Sequence, residues 1–144
     1  MKTWAIADFP VRTYDKIRYA DTDRQGHVNN AVFATFLETG RVEVLYNPEF
    51  PLHDPDTSFV IASLKLDFML EITWPGLVEI GTAVTKIGNS SIVLYQMLFQ
   101  NNRCVAQAET VIVQIYQHGG GKATLSEMTK NQVQQWLISD APDP

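Results

Sequence analysis

From Ser63, polar Ser63, Lys65, Asp67 and Glu71 alternate with apolar Leu64, Leu66, Phe68, Leu70 and Ile72. A period of two predicts a strand with one face buried. The stretch from Asn30 to about Tyr46 has another rhythm. It carries Phe33, Phe36, Leu37, Val44 and Leu45, contains no proline, and reads as a helix. Asn29 or Asn30 can cap it. Only Glu38, Arg41 and Glu43 are charged there, so the helix should be buried on most sides.

Between these segments, Asn47 to Thr57 holds Pro48, Pro51 and Pro55 and reads as a loop. Asp15 to Ala20 alternates enough for a short strand. Trp74-Pro75-Gly76 ends the Ser63 strand, and further strands are predicted at Val78 to Ile87, Ile92 to Gln100 and Val105 to Tyr116. Gly88-Asn89-Ser90 and Asn101-Asn102 supply hairpin turns. Gly119 to Gly121 marks a flexible exit. Thr124 with Glu127 resembles a capping box, and Met128, Val133, Trp136 and Leu137 suit a short amphipathic helix. The order is strand, long apolar helix, then a four-strand antiparallel meander. The helix must bury itself against sheet, so the predicted class is α+β, with a curved sheet wrapped around a central helix.

Composition narrows the function. A chain of 144 residues suits one domain over residues 1–144. No apolar run reaches the roughly 18 residues of a membrane span. Met1 to Pro10 includes Asp8 and lacks a long apolar core, so it does not read as a secretory signal. Cys104 is the sole cysteine, which excludes an internal disulfide and a cysteine-rich zinc site and fits the cytoplasm. Cys104 itself reads as a small buried hydrophobe. A net charge of −5 argues against nucleic acid as partner, while a few local cations suffice for a small polyanion.

The densest polar stretch is Tyr19-Ala20-Asp21-Thr22-Asp23-Arg24-Gln25-Gly26-His27-Val28-Asn29-Asn30, between a strand and the apolar helix. A helix start offers free N–H groups and the positive end of the macrodipole, which can stabilise an oxyanion. A carboxylate beside it, Asp23, can act as nucleophile or general base. Gly26 permits close backbone approach. The same residues also suit an Asp-rich turn in which Asp21 and Asp23 merely cap and fold the loop.

Arg18 to Asn30, followed by Phe36-Leu37-Glu38 and Arg41, resembles the signature of the 4-hydroxybenzoyl-CoA thioesterase family of hotdog proteins. The order of elements matches over roughly Val11 to Tyr116. The resemblance implies a hotdog fold and a homodimer joined edge to edge, often a homotetramer. It implies hydrolysis of acyl-CoA or acyl-carrier-protein thioesters, without metal or cofactor. By position, the catalytic aspartate falls on Asp23 and the N–H that holds the thioester oxygen on Asn30. Gly26, His27 and Val28 form the intervening loop, and Val28 and Asn29 border the substrate. The family's basic hairpin corresponds here to Lys86-Ile87-Gly88-Asn89-Ser90-Ser91, which has one lysine; Lys86, Ser90 and Ser91 are the expected contacts to the nucleotide.

His27 can contact substrate, orient Asp23, or only hydrogen-bond locally. Glu38, three residues from Arg41, is a second candidate carboxylate, or one half of an ion pair. Asp21-Thr22-Asp23 lacks further ligands at metal-binding spacing. There is no G-x-S-x-G elbow and no glycine-rich nucleotide motif. Two other readings remain: a hotdog hydratase or dehydratase acting on the acyl chain, and a non-catalytic acyl-CoA-binding module.

Overall fold

The computed structural model describes residues 4–139. It orders the chain as β1 (Val11–Lys16), α1 (Asn30–Leu45), β2 (Thr57–Phe68), β3 (Leu77–Ile87), β4 (Ser91–Gln100), β5 (Arg103–Tyr116) and α2 (Glu127–Gln134). The five strands form one antiparallel sheet in the order β1-β3-β4-β5-β2. β1 lies upstream of the expected Asp15–Ala20 strand, because residues 19–21 close a 3-10 turn instead.

Only β3-β4-β5 is a meander. β2 pairs with β5, so the expected four-strand meander is corrected to three strands with β2 placed on the far side. The segment from Met69 to Gly76 therefore leaves one side of the sheet and returns to the other. Its backbone is tied at both ends and in the middle: Met69 and Leu70 donate to Val105 O, Val28 donates to Ile72 O, and Ile17 donates to Gly76 O.

α1 lies on the sheet with Phe33, Phe36, Leu37, Gly40, Arg41, Val44 and Leu45 buried. Ala31, Thr35, Glu38, Val42 and Glu43 remain exposed, so burial covers one face and not most sides. Two apolar clusters flank the helix midpoint. Phe33, Phe36 and Leu37 meet Ile80 and Leu98 towards the N-terminal end, and Val44 and Leu45 meet Val84, Leu94 and Ile112 towards the C-terminal end. Between them Gln96 Nε2 donates to Leu37 O (3.1 Å) and Thr82 Oγ1 (3.0 Å). Helix and sheet approach closely here: a Cβ on Gly40 would lie 2.5 Å from Ile80 Cγ2 and 2.7 Å from Gln96 Nε2. Burial lowers the pKa of Arg41, with Glu38 opposing the shift, but the two form no salt bridge.

The other sheet face is covered near β3 and β4 by the N-terminal segment, where Phe9 packs on Trp4, Tyr95 and Phe99 over Gly81. Cys104 is half-buried, and its thiol donates to Ala106 O. α2 starts at Ser126, whose hydroxyl accepts from Thr129 N; the Thr124–Glu127 box does not form. Val133 is buried, whereas Met128 is exposed and Trp136 and Leu137 fall after the helix.

β2 departs most from its pattern. Val60, Ile61, Leu64 and Phe68 are all at least 40 % exposed, although alternation predicted a buried face. The strand is an edge and shifts register between Ile61 and Ser63; Phe59 and Leu66 pack against the core clusters, while the other apolar side chains stay largely exposed.

Candidate active site

The loop from Thr22 to Val28 folds back on itself because Gly26 takes φ +79°, a left-handed conformation that suits glycine. Asp23 N donates to His27 O (2.8 Å), and Gly26 N donates to Asp23 O (3.2 Å). Asp23 Oδ1 accepts from the backbone N–H of Gln25 (2.8 Å) and of His27 (3.2 Å). Its second oxygen, Oδ2, has no hydrogen-bond partner among the described residues. The carboxylate is thus held by one oxygen and free at the other.

Asp21 behaves differently. It is buried, accepts from Arg18 N at Oδ2 (2.8 Å), and lies 3.4 Å from the Arg18 guanidinium at Oδ1. Both of its oxygens are committed to folding. Its carbonyl also accepts from Asn29 N (2.8 Å), which fixes the residue before the helix.

Asn29 is the N-cap of α1, and its side-chain oxygen accepts from Ala31 N (3.0 Å). Its carbonyl takes the N–H of Val32 (2.9 Å). Asn30, between them, lines a cavity of about 330 Å³ together with Asp23, His27 and Val28. The rest of that lining comes from Phe33 and from Phe68, Met69, Leu70 and Glu71. Phe33 and Phe68 meet edge to face at 5.0 Å. His27 Nε2 lies 3.0 Å from Glu71 Oε2, and His27 bridges Thr73 through its backbone.

The structure therefore gathers Asp23, His27, Val28 and Asn30 around one cavity, with Gly26 and Asn29 shaping its loop and cap. It does not bring Lys86, Ser90 and Ser91 there. Ser90 O accepts from Gln114 N and Asn89 O from Leu125 N, so that turn sits beside the cluster at the C-terminal end of α1. A helix of 16 residues spans about 24 Å, which separates the two ends. Glu38 is exposed and does not line the cavity.

Sequence reading missed the wall formed by residues 68–71. One signal was present: Phe68-Met69-Leu70 breaks the strict alternation of β2 with three apolar residues in a row. Among the described residues, no three His, Cys, Asp or Glu side chains gather as a metal site would require, and no helix is long and apolar enough to cross a membrane.

Residues 25–106, more than half of the chain, match the model of a family described as the thioesterase superfamily. The acyl-CoA thioesterase YbgC of Haemophilus influenzae is 30 % identical over 104 residues, covering 69 % of this chain and 74 % of that protein. A thioesterase from Thermus thermophilus, crystallised with coenzyme A and zinc, matches with a TM-score of 0.75 at 30 % identity, over 88 % of this chain and 92 % of that one. The PA5185 protein of Pseudomonas aeruginosa reaches a TM-score of 0.84 over 95 % of this chain and 98 % of its own; at 19 % identity it speaks for the fold alone.

Proposed function

The chain belongs to the thioesterase superfamily and has its hotdog fold, and from that premise we propose that it hydrolyses acyl-CoA thioesters with Asp23 as the catalytic carboxylate. The observation that carries the reading is the asymmetry of Asp23: Oδ1 is anchored by two backbone N–H groups while Oδ2 is left free beside the cavity. Anchoring fixes the direction of the free oxygen, which is what a positioned nucleophile or base requires. The N–H of Asn30, at the positive end of α1, is the donor for the thioester oxygen as charge develops there. Oδ2 either attacks the carbonyl, forming a mixed anhydride and releasing the thiolate, or takes a proton from the water that attacks. Hydroxylamine trapping separates the routes, since only the anhydride yields a protein-bound hydroxamate.

The acyl group occupies the side lined by Phe33, Phe68, Met69 and Leu70. The coenzyme A bound to the Thermus relative supports a nucleotide carrier here. We assign the open edge of β2 to pairing with a second copy. Two-fold pairing of identical edge strands is antiparallel, so the C-terminal end of the second copy's helix, and the β3–β4 turn beside it, come to the same side as this helix N-terminus. Lys86, Ser90 and Ser91 of each copy then serve the nucleotide at the other's site.

The test is a thiol-release screen over acyl-CoAs of graded length, aromatic ones included, with the best acyl group repeated on acyl carrier protein. Light scattering on the same sample should report a dimer. Release of free thiol is expected. Tight binding without release across the panel would replace the hydrolase with a binding module, and a changed acyl double bond without release would mark a hydratase.

A further inference from the structure

Arg41 is the one charged residue of α1 that the fold buries, at 6 % exposure. Its Nη1 is shut off from solvent without a hydrogen-bond partner, and among the described residues no carboxylate lies within ion-pair distance of the guanidinium. Gln96 Oε1 and Thr110 Oγ1 are likewise buried without partners, and neither carries charge. A guanidinium taken out of water calls for a counter-charge. Glu38, three residues earlier, is exposed and does not touch it.

Helix geometry shows which side Arg41 serves. Thr39 Oγ1 donates to Asp15 Oδ2 on β1 (2.9 Å), so that flank of α1 faces β1. At about 100° per residue, Arg41 lies about 200° further round, on the flank towards β2, with Glu38 beside it one turn earlier. On the helix side of β2, Ile61, Leu64 and Phe68 are each at least 40 % exposed, so this flank borders the side left open. Two contacts set the helix along the strand: Phe33 meets Phe68 at 5.0 Å, and Tyr46 Oη accepts from Phe59 N (3.0 Å). Midway between Phe33 and Tyr46 the chain passes from Thr39 to Gly40. Midway between Phe59 and Phe68 it passes the middle of β2, to within about one residue. Glu38 and Arg41 flank the helix point symmetrically. A two-fold axis through the middle of a fully paired β2 therefore carries Glu38 of each copy towards Arg41 of the other.

We propose that Glu38 and Arg41 form reciprocal ion pairs between two copies of the chain, the exposed Glu38 of each copy neutralising the buried Arg41 guanidinium of the other. The proposal rests on the pairing of β2 edges assigned above. Apolar contacts along β2 do not by themselves select a partner or a register. Two ion pairs about the axis do both, because a slipped or foreign edge leaves Arg41 unpaired.

The dimer dissociation constant of the full chain, measured by sedimentation, is the readout. Glu38→Arg sets like charges against each other across the axis and should raise it by at least about 10²-fold. Arg41→Glu should do the same from the other side. Mixed in equal amounts, at a concentration where each alone is monomeric, the two variants should form a dimer, because every facing pair is then opposite in sign. A pair confined to one helix predicts no recovery on mixing. Should Arg41→Glu not fold, Glu38→Arg carries the test: adding Arg41→Met to it removes the repulsion and should recover affinity by about tenfold or more. Turnover by wild type and by the recovered dimer should agree, since neither residue lines the cavity. A wild-type dimer indifferent to Glu38→Arg, or a dissociation that neither mixing nor Arg41→Met reverses, overturns the ion pairs and leaves edge pairing intact. A wild-type protein that stays monomeric overturns both.

Discussion

Asp23 in the loop before α1 and Asp54 in the loop after it are used in opposite ways. After the helix, Asp54 accepts at Oδ2 from Gln114 Nε2 (2.9 Å) and Ser126 N (3.0 Å), and at Oδ1 from Thr129 Oγ1 (3.1 Å). Its own N–H donates to Gln114 Oε1 (3.0 Å). Burial alone would raise its pKa, but hydrogen bonds from Ser126, Gln114 and Thr129 outweigh that and hold it below the usual carboxylate range. Before the helix, Asp23 has both of its hydrogen bonds on one oxygen. A carboxylate with both oxygens spent joins the loop to β5 and α2. One with an oxygen in reserve is available for chemistry.

The largest effect that sharpens this contrast is Asp23→Asn. The amide keeps the Oδ1 acceptor that folds the loop but removes the basic, charged oxygen. Turnover should fall by at least about 10²-fold, as for a lost positioned proton acceptor, with a much smaller change in substrate affinity. Its melting temperature should stay close to wild type. A folded Asp23→Asn protein with near-normal kcat would remove the mechanism.

Asp54→Ala should do the reverse. Ser126 N loses its acceptor, while Gln114 Nε2 keeps Ala123 O and Thr124 O and Thr129 Oγ1 keeps Leu52 O, so the change should cost about 1–3 kcal/mol in urea unfolding. Turnover well below the melting temperature should remain. If Asp54→Ala instead cost activity and spared stability, the division between the two loops would be wrong. Because the folded-state pKa of Asp54 is lowered, its contribution is present above the unfolded value of about 3.9 and is lost as pH falls through the folded value. The stability gap between wild type and Asp54→Ala should therefore be widest near neutrality and close progressively below about pH 4, as followed by urea titrations across that range.

The smallest expected effect belongs to Glu38→Gln. The side chain is exposed and away from the cavity, so steady-state rates should stay within about twofold of wild type, as for surface changes in general. Loss of activity would transfer the chemistry to the helix carboxylate.

How much of this could be read beforehand depended on how local each feature was. α1 was legible because Phe33, Phe36, Leu37, Val44 and Leu45 lie close together without proline, and its bounds differ from expectation by one residue. The meander strands were legible through alternation and asparagine turns, and the Asp23 loop through its density of polar residues before a helix. Pairing was not. Nothing near Thr57–Phe68 says that its partner is β5, with paired residues 38 (Phe68 to Ala106) to 59 (Thr57 to Tyr116) positions apart, and not the next strand. Met69–Gly76, the segment that makes this crossing, also delivers Glu71 to His27, so the pair was hidden by the same non-local choice. The Asp54 cluster was hidden likewise, since Gln114 and Ser126 reach it from sixty or more residues along the chain. The cap of α2 moved from Thr124 to Ser126 because Ser126 is the residue that Asp54 holds in place.

Beyond its register shift, the open edge of β2 runs on into Phe68, the first residue of the apolar wall of the cavity. On the proposed pairing, the copy that covers that edge also steadies the wall, so assembly and the proposed catalysis share a structural element. Mass action then enters the rate law: the fraction of competent sites follows the fraction of covered edges. Specific activity should be constant at high enzyme concentration and decline on dilution with the midpoint of the monomer–dimer equilibrium. A freshly diluted sample would show this as a slow downward curvature in its progress trace, with a time constant equal to that of dissociation.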